Sequence, residues 1–129
     1  MKKLVSVVTP CYNEEEVLPI TAPQFLEQMN KMRSEGLVDE DSKILFVNDG
    51  SKDRTLDILK AIHKVSDNVK VISFSRNFGK EAAMLAGLKH TSGKYISIMD
   101  ADLQHTPEML LLMYNSVGFL KRSFLFNGC

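Results

Sequence analysis

Residues Tyr95–Leu110 read YISIMDADLQHTPEML. Five mostly apolar residues run without a break into Asp100-Ala101-Asp102. Two carboxylates one residue apart repel each other and resist desolvation, so the pair is out of place deep in a core. At the end of a buried strand, facing a cleft, the same pair suits a cation. Residues i and i+2 of an extended segment point the same way, so both carboxylates can approach one ion. Gln104 follows at the same spacing and can add a ligand or an outer contact. Hard oxygen donors of this kind suit Mg²⁺ or Mn²⁺. The competing reading is a loop whose acids merely serve the next helix. Thr106 and Pro107 mark that helix as starting near Pro107. His105 reads first as a surface or packing residue.

Three other runs match the one that starts at Tyr95. They are LVSVVT from Leu4, KILFV from Lys43 and VKVISF from Val69. All are rich in Val, Ile or Phe and nearly continuous, as in strands of a parallel sheet buried on both faces. Between them lie helical stretches. One runs from Glu14 to about Arg33. A second runs from Thr55 to Lys64, with Leu56, Leu59 and Ile62 or His63 on one face. A third runs from Lys80 to about His90, with Ala83, Ala86 and Gly87 on one face. The alternation predicts an α/β fold, a doubly wound and mostly parallel sheet. Ser34–Ser42, SEGLVDEDS, reads as a polar loop with no evident role.

In such sheets ligands bind beyond the carboxyl ends of the strands. Each strand here is followed by a polar cluster: PCYNEEE, NDGSKDRT, SRNFGKEAA and DADLQHTPE. All four fall on one edge. Tyr12 can pack on a base, and Asn13 and Glu14 can bond ribose or base edges. The plain alternative is that Asn13 caps the first helix and the glutamates complement its dipole. Asp49 can accept hydrogen bonds from a nucleotide, and Asp53 can cap the helix near Thr55. Gly79 beside a helix start lets the backbone approach a ligand closely. Gly79-Lys80 is not a phosphate-cradling P-loop, because position 81 is Glu and position 74 is Phe. Arg76 has a plain reading as a solvated charge.

The totals exclude several classes. The 129 residues suit one domain, with 44% hydrophobic and 25% charged residues. Lys plus Arg equals Asp plus Glu, 16 each, so there is no basic footprint for nucleic acid or anionic membrane. The two cysteines, Cys11 and Cys129, have no metal-ligand spacing, and a reduced cytoplasmic chain is expected. LVSVV after Met1-Lys2-Lys3 is too short for a signal peptide. No apolar run approaches the roughly 18 residues of a membrane span.

Taken in order, SVVTPCYNEEEVL, FVNDGSKDRT and SFSRNFGKEAAMLAGLKHTSGKYISIMDADLQHTPEML resemble the family 2 glycosyltransferases. The likeness is to the polyprenyl-phosphate branch, the dolichyl-phosphate and bactoprenol enzymes, and covers Val5 to about Tyr114. DLQH is usually followed there by Pro-Pro-Glu, and Thr106 replaces the first proline. The resemblance implies a GT-A fold, a nucleotide-sugar donor, a divalent metal and inverting transfer to a polyprenyl phosphate. By position it implies that Pro10, Tyr12, Asn13, Glu14 and Asp49 hold the nucleotide. Asp100, Asp102 and Gln104 would hold the metal and diphosphate, with Asn77 and Lys80 near the donor. It leans toward uridine diphosphate sugars and implies work at the cytoplasmic face of a membrane. Members continue well beyond this length. Residues 1–114 are therefore expected to be the N-terminal part of the donor-binding domain. Residues 115–129, SVGFLKRSFLFNGC after Asn115, are expected to be an atypical tail where the chain stops short or leaves its frame.

Two other classes compete. A phosphatase of the haloacid dehalogenase type also ends a strand with D-x-D, but usually on its first strand, and here the motif is on the fourth. A non-catalytic nucleotide-sugar-binding fragment would share the same fold and donor residues.

Overall fold

The computed structural model describes residues 3–91, 94–99, 101 and 120–121. Five strands form one sheet in the order β3-β2-β1-β4-β5. They are β1 Val5–Cys11, β2 Lys43–Asn48, β3 Val69–Ser73, β4 Tyr95–Ile98 and β5 Leu120–Lys121. The first four are parallel, and β5 pairs antiparallel with β4. Helices α1 Leu18–Ser34, α2 Thr55–Val65 and α3 Lys80–Lys89 connect the parallel strands. The helix expected from Pro107 lies outside the described residues.

The alternation of side chains along the strands builds two cores. Val5 and Val7 of β1 and Ile44 and Phe46 of β2 pack with Leu18, Ala22, Phe25, Met29 and Met32 of α1 and Leu59 of α2. Val8, Leu45, Val47 and Ile96 point the other way, onto Ala83 of α3. The result is three layers, helices on both faces of a central sheet. The continuous apolar runs of β1 and β2 are buried along nearly their whole length. β3 departs from that expectation, with Lys70 and Ser73 exposed. Among the described residues it lies at the sheet's edge, with no neighbouring strand on one flank.

Three expectations are corrected. α1 becomes regular only at Leu18, with Pro19 in its first turn, whereas Glu15–Val17 form a turn. The inward face of α2 includes Ile58 together with Leu59 and Ile62, while His63 is exposed and its Nδ1 meets the Val69 carbonyl at 2.7 Å. The segment 34–42 is structural. Val38 is fully buried and bridges Lys3 in parallel register, and the Ser42 hydroxyl accepts the Val5 N–H at 3.0 Å. Sparse apolar residues hid that role, because its strength is one buried valine and one well-placed hydroxyl.

α3 approaches the sheet closely because Gly87 has no side chain. A Cβ there would overlap Val8 Cγ1 and lie 3.3 Å from Val47 Cγ2. Gly87→Ala gains about 1 kcal/mol in helix propensity but overpacks this contact, at about 1–3 kcal/mol. We expect a net loss of stability, read as a lower midpoint in urea; an unchanged or raised midpoint would show that α3 moves outward freely.

Candidate functional site

The chain moves outward from β1 to β2 to β3, then returns to the far side of β1 to form β4. The strand order therefore reverses between β1 and β4. Ligands of open α/β sheets occupy the crevice outside the carboxyl ends at such a reversal. An open cavity of about 120 Å³ lies here, lined by Pro10, Cys11, Tyr12, Glu14, Asp49, Lys80 and Ala101.

Each loop reaches the cavity for a local reason. Pro10 and Cys11 end β1, and Cys11 is buried, with its thiol donating to the Thr9 carbonyl at 3.5 Å. Burial, with the nearby Glu14 charge second, pushes the Cys11 thiol far above its ordinary range, so it is an inert wall and not a nucleophile. Tyr12 is 41% exposed at the rim. Asn13 has φ 53°, the one left-handed non-glycine residue among those described, and this turns the chain between Tyr12 and Glu14. Its side-chain oxygen accepts the Lys52 N–H at 2.9 Å, so Asn13 neither caps α1 nor lines the cavity.

Asp49 follows β2 and is 3% exposed. Its Oδ1 accepts the Phe78 N–H at 2.8 Å, and its Oδ2 accepts the Gly79 N–H at 3.1 Å and Asn77 Nδ2 at 3.2 Å. Asn77 also donates to the Asp49 carbonyl at 3.2 Å. Asp49 is thus both a wall of the cavity and the anchor of the loop that leads into α3. Lys80 opens α3 and lines the cavity, and the positive end of that helix lies at the same edge. Arg76 is more than a solvated charge. Its guanidinium stacks 4.5 Å from the Phe78 ring centre, and Phe78 meets Phe74 edge-on at 5.5 Å.

Of the fourth cluster, Asp100, Asp102, Gln104 and His105 lie outside the described residues. Ala101, between the two aspartates in sequence, lines the cavity. Its carbonyl accepts the hydroxyl of buried Thr21 at 3.1 Å, across 80 residues of sequence. Nothing in the residue pattern singles out Thr21, because a threonine inside a helix reads only as a weak helix former. Among the described residues no three His, Cys, Asp or Glu side chains gather as a metal site.

Residues 6–124 match the family described as glycosyl transferase family 2. The chain belongs to that family. It is 44% identical over 108 residues to the glycosyltransferase YkcC of Bacillus subtilis, covering 84% of this chain and 32% of that protein. It is 44% identical over 107 residues to a bactoprenol glucosyl transferase of Shigella phage SfX, covering 82% of this chain and 33% of that one. It therefore spans about a third of the length of these family 2 relatives. Among solved structures it superposes on S. aureus TarS 1-349 with a TM-score of 0.63 at 26% identity, covering 86% of this chain and 30% of that one. A mannosyltransferase of Pyrobaculum calidifontis, solved with GDP-Man and Mn²⁺, shares the fold with a TM-score of 0.64 at 23% identity, covering 93% of this chain and 33% of that one. The α/β sheet of this family 2 chain is that of the GT-A glycosyltransferases. No helix among the described residues is long and apolar enough to cross a membrane.

Proposed function

We propose that this chain carries the donor-binding part of a glycosyltransferase that moves a sugar from a nucleotide-diphosphate sugar to a polyprenyl phosphate, with inversion and with a divalent metal. The observation that carries the reading is the cavity at the strand-order reversal, which gathers Pro10, Tyr12, Glu14, Asp49 and Lys80 beside Ala101. The polyprenyl acceptor is supported by the bactoprenol glucosyl transferase among the relatives. Such an acceptor would put the reaction at a membrane surface, and the cytoplasmic face is the one proposed.

The roles follow from chemistry. Tyr12 offers a ring face to the base, and the Glu14 carboxylate accepts from ribose or base. A carboxylate has about four acceptor sites. Three of those on Asp49 are taken by the 77–79 loop, which leaves room for one base N–H. Asn77 holds that loop, and Lys80 with the amino end of α3 meets the negative diphosphate. Asp100, Asp102 and Gln104 form an all-oxygen donor set that fits Mg²⁺ or Mn²⁺. Those residues would hold the ion, which would supply charge neutralisation for the departing nucleoside diphosphate. The acceptor phosphate is ionised at neutral pH, so its attack on the anomeric carbon needs little help from a base. Holding donor and acceptor in line supplies much of the remaining acceleration.

The test is a thermal melt with Mn²⁺ and UDP-glucose, UDP-N-acetylglucosamine or GDP-mannose, repeated on Asp102→Ala. At a donor concentration of roughly 100 Kd, binding adds about 2.7 kcal/mol. We expect a metal-dependent upward shift with one donor that vanishes in Asp102→Ala. A cooperative melt that no donor moves overturns the reading.

A further inference from the structure

The loop that carries Tyr12 and Glu14 has no regular structure of its own. Its backbone is held from outside, by side chains of the loop between β2 and α2 and of Thr55, the first residue of α2. Three successive N–H groups donate across. Asn13 N–H reaches Ser51 Oγ at 3.0 Å, Glu14 N–H reaches Thr55 Oγ1 at 2.8 Å, and Glu15 N–H reaches Asp53 Oδ2 at 3.2 Å. Two bonds return the other way. Lys52 N–H donates to Asn13 Oδ1 at 2.9 Å and Arg54 N–H to Glu15 Oε2 at 3.3 Å. The two loops are therefore laced together by five reciprocal bonds between residues 38 to 41 apart in sequence.

Within this lacing Asp53 and Thr55 act in series. Asp53 Oδ1 accepts both the N–H and the hydroxyl of Thr55. Thr55 is fully buried. A hydroxyl has one proton and two lone pairs. With its proton committed to Asp53, Thr55 Oγ1 must present a lone pair to the Glu14 N–H. The carboxylate thus fixes the hydroxyl, and the hydroxyl fixes the backbone between Tyr12 and Glu14. Burial pushes the Asp53 carboxyl up, but the bonds from Thr55, from Glu15 N–H and from its own N–H outweigh this and leave it below its ordinary value. The left-handed Asn13 costs about 1 kcal/mol or more, and this lacing opposes its relaxation.

We propose that Asp53 and Thr55 are positioning residues for the donor pocket: neither lines the cavity, yet together they hold Tyr12 and Glu14 in place to receive the nucleoside. The part that concerns the donor rests on the function proposed above; the part that concerns the loop does not.

Two readouts on the whole chain separate these parts. The first is amide hydrogen exchange at Glu14 and Glu15 in the ligand-free protein. The second is calorimetric Kd for UDP and for GDP with Mn²⁺, taken well below each variant's melting temperature. Asp53→Asn keeps the shape but places an amide where two acceptors are needed, and Thr55→Ser keeps the hydroxyl. The single oxygen of the asparagine can keep the Thr55 pair or the Glu15 N–H but not both, so we expect Asp53→Asn to speed exchange at Glu15, at Glu14 or at both at least tenfold and to weaken nucleotide binding at least tenfold. Thr55→Ser should stay within threefold of the parent in both. Unchanged exchange and Kd in Asp53→Asn overturn the proposal. Faster exchange with unchanged Kd overturns its donor part. If the parent chain binds neither nucleotide while exchange responds as expected, the donor function fails and the positioning of the loop stands.

Discussion

Gly50→Ala is expected to lower the melting temperature by roughly 10 °C, corresponding to about 3 kcal/mol for a chain of this size. Two costs combine. Gly50 has φ 66°, a conformation that a residue with a Cβ adopts at about 1 kcal/mol. A Cβ there would also overlap the carbonyl carbon of Arg76 and the amide nitrogen of Asn77, and come within 2.5 Å of the Arg76 carbonyl oxygen. Those are backbone atoms, so no rotamer change relieves the clash; the 76–79 loop itself must move. Gly36→Ala is the control. Gly36 has φ 76°, but a methyl group added there would meet nothing within 4 Å, so it isolates the conformational cost. The expected drop at Gly36 is about a third as large. Equal drops at the two positions would show that the contact between Gly50 and Arg76 contributes nothing.

The contrast between the two glycines marks what could be read in the residues alone. NDGS is turn chemistry in any context, so a bend at Gly50 was legible. That the bend presses against Arg76 was not, because the two are 26 residues apart in sequence, on loops that meet only once β3 pairs with β2. The same division holds across the chain. The parallel strands and α2 and α3 were legible to within about a residue or two, because buried apolar runs and helical spacing are local signals. The start of α1 was less so. Glu14–Val17 has good helix formers, but the Glu14 and Glu15 N–H groups find partners in Thr55 and Asp53, and regular helix waits until Leu18. Of the site, the gathering of Pro10, Tyr12, Glu14, Asp49 and Lys80 followed from strand-end logic, and one cavity does contain them. Asp53 and Asn77 stood out in the residue pattern, but other residues that hold the loops in place did not. Thr21, Ser51 and Thr55 act through single hydroxyls aimed at distant backbone, and no spacing rule announces such a bond.

Asp49 holds the 77–79 loop and is proposed to meet the nucleotide, and Asp49→Asn tests both roles. In the variant one side-chain oxygen can still accept the Phe78 N–H. The amide group then faces the Gly79 N–H and Asn77 Nδ2, two donors it cannot serve. Losing bonds to a charged acceptor costs roughly 1.5–3 kcal/mol each, and the Gly79 and Asn77 donors would have to find water or stay unpaired. We expect a loss of about 3 kcal/mol, seen as a fall of roughly 10 °C in the ligand-free protein. The donor-induced shift should vanish as well, because the loop that carries Lys80 into the cavity is tethered through this carboxylate. If Asp49 served only the nucleotide, the ligand-free protein would melt unchanged and only the shift would disappear. Under the proposed function both losses are expected, since Asp49 and Gly50 together form the socket in which residues 76–79 sit, and Asp49 is also a wall of the cavity.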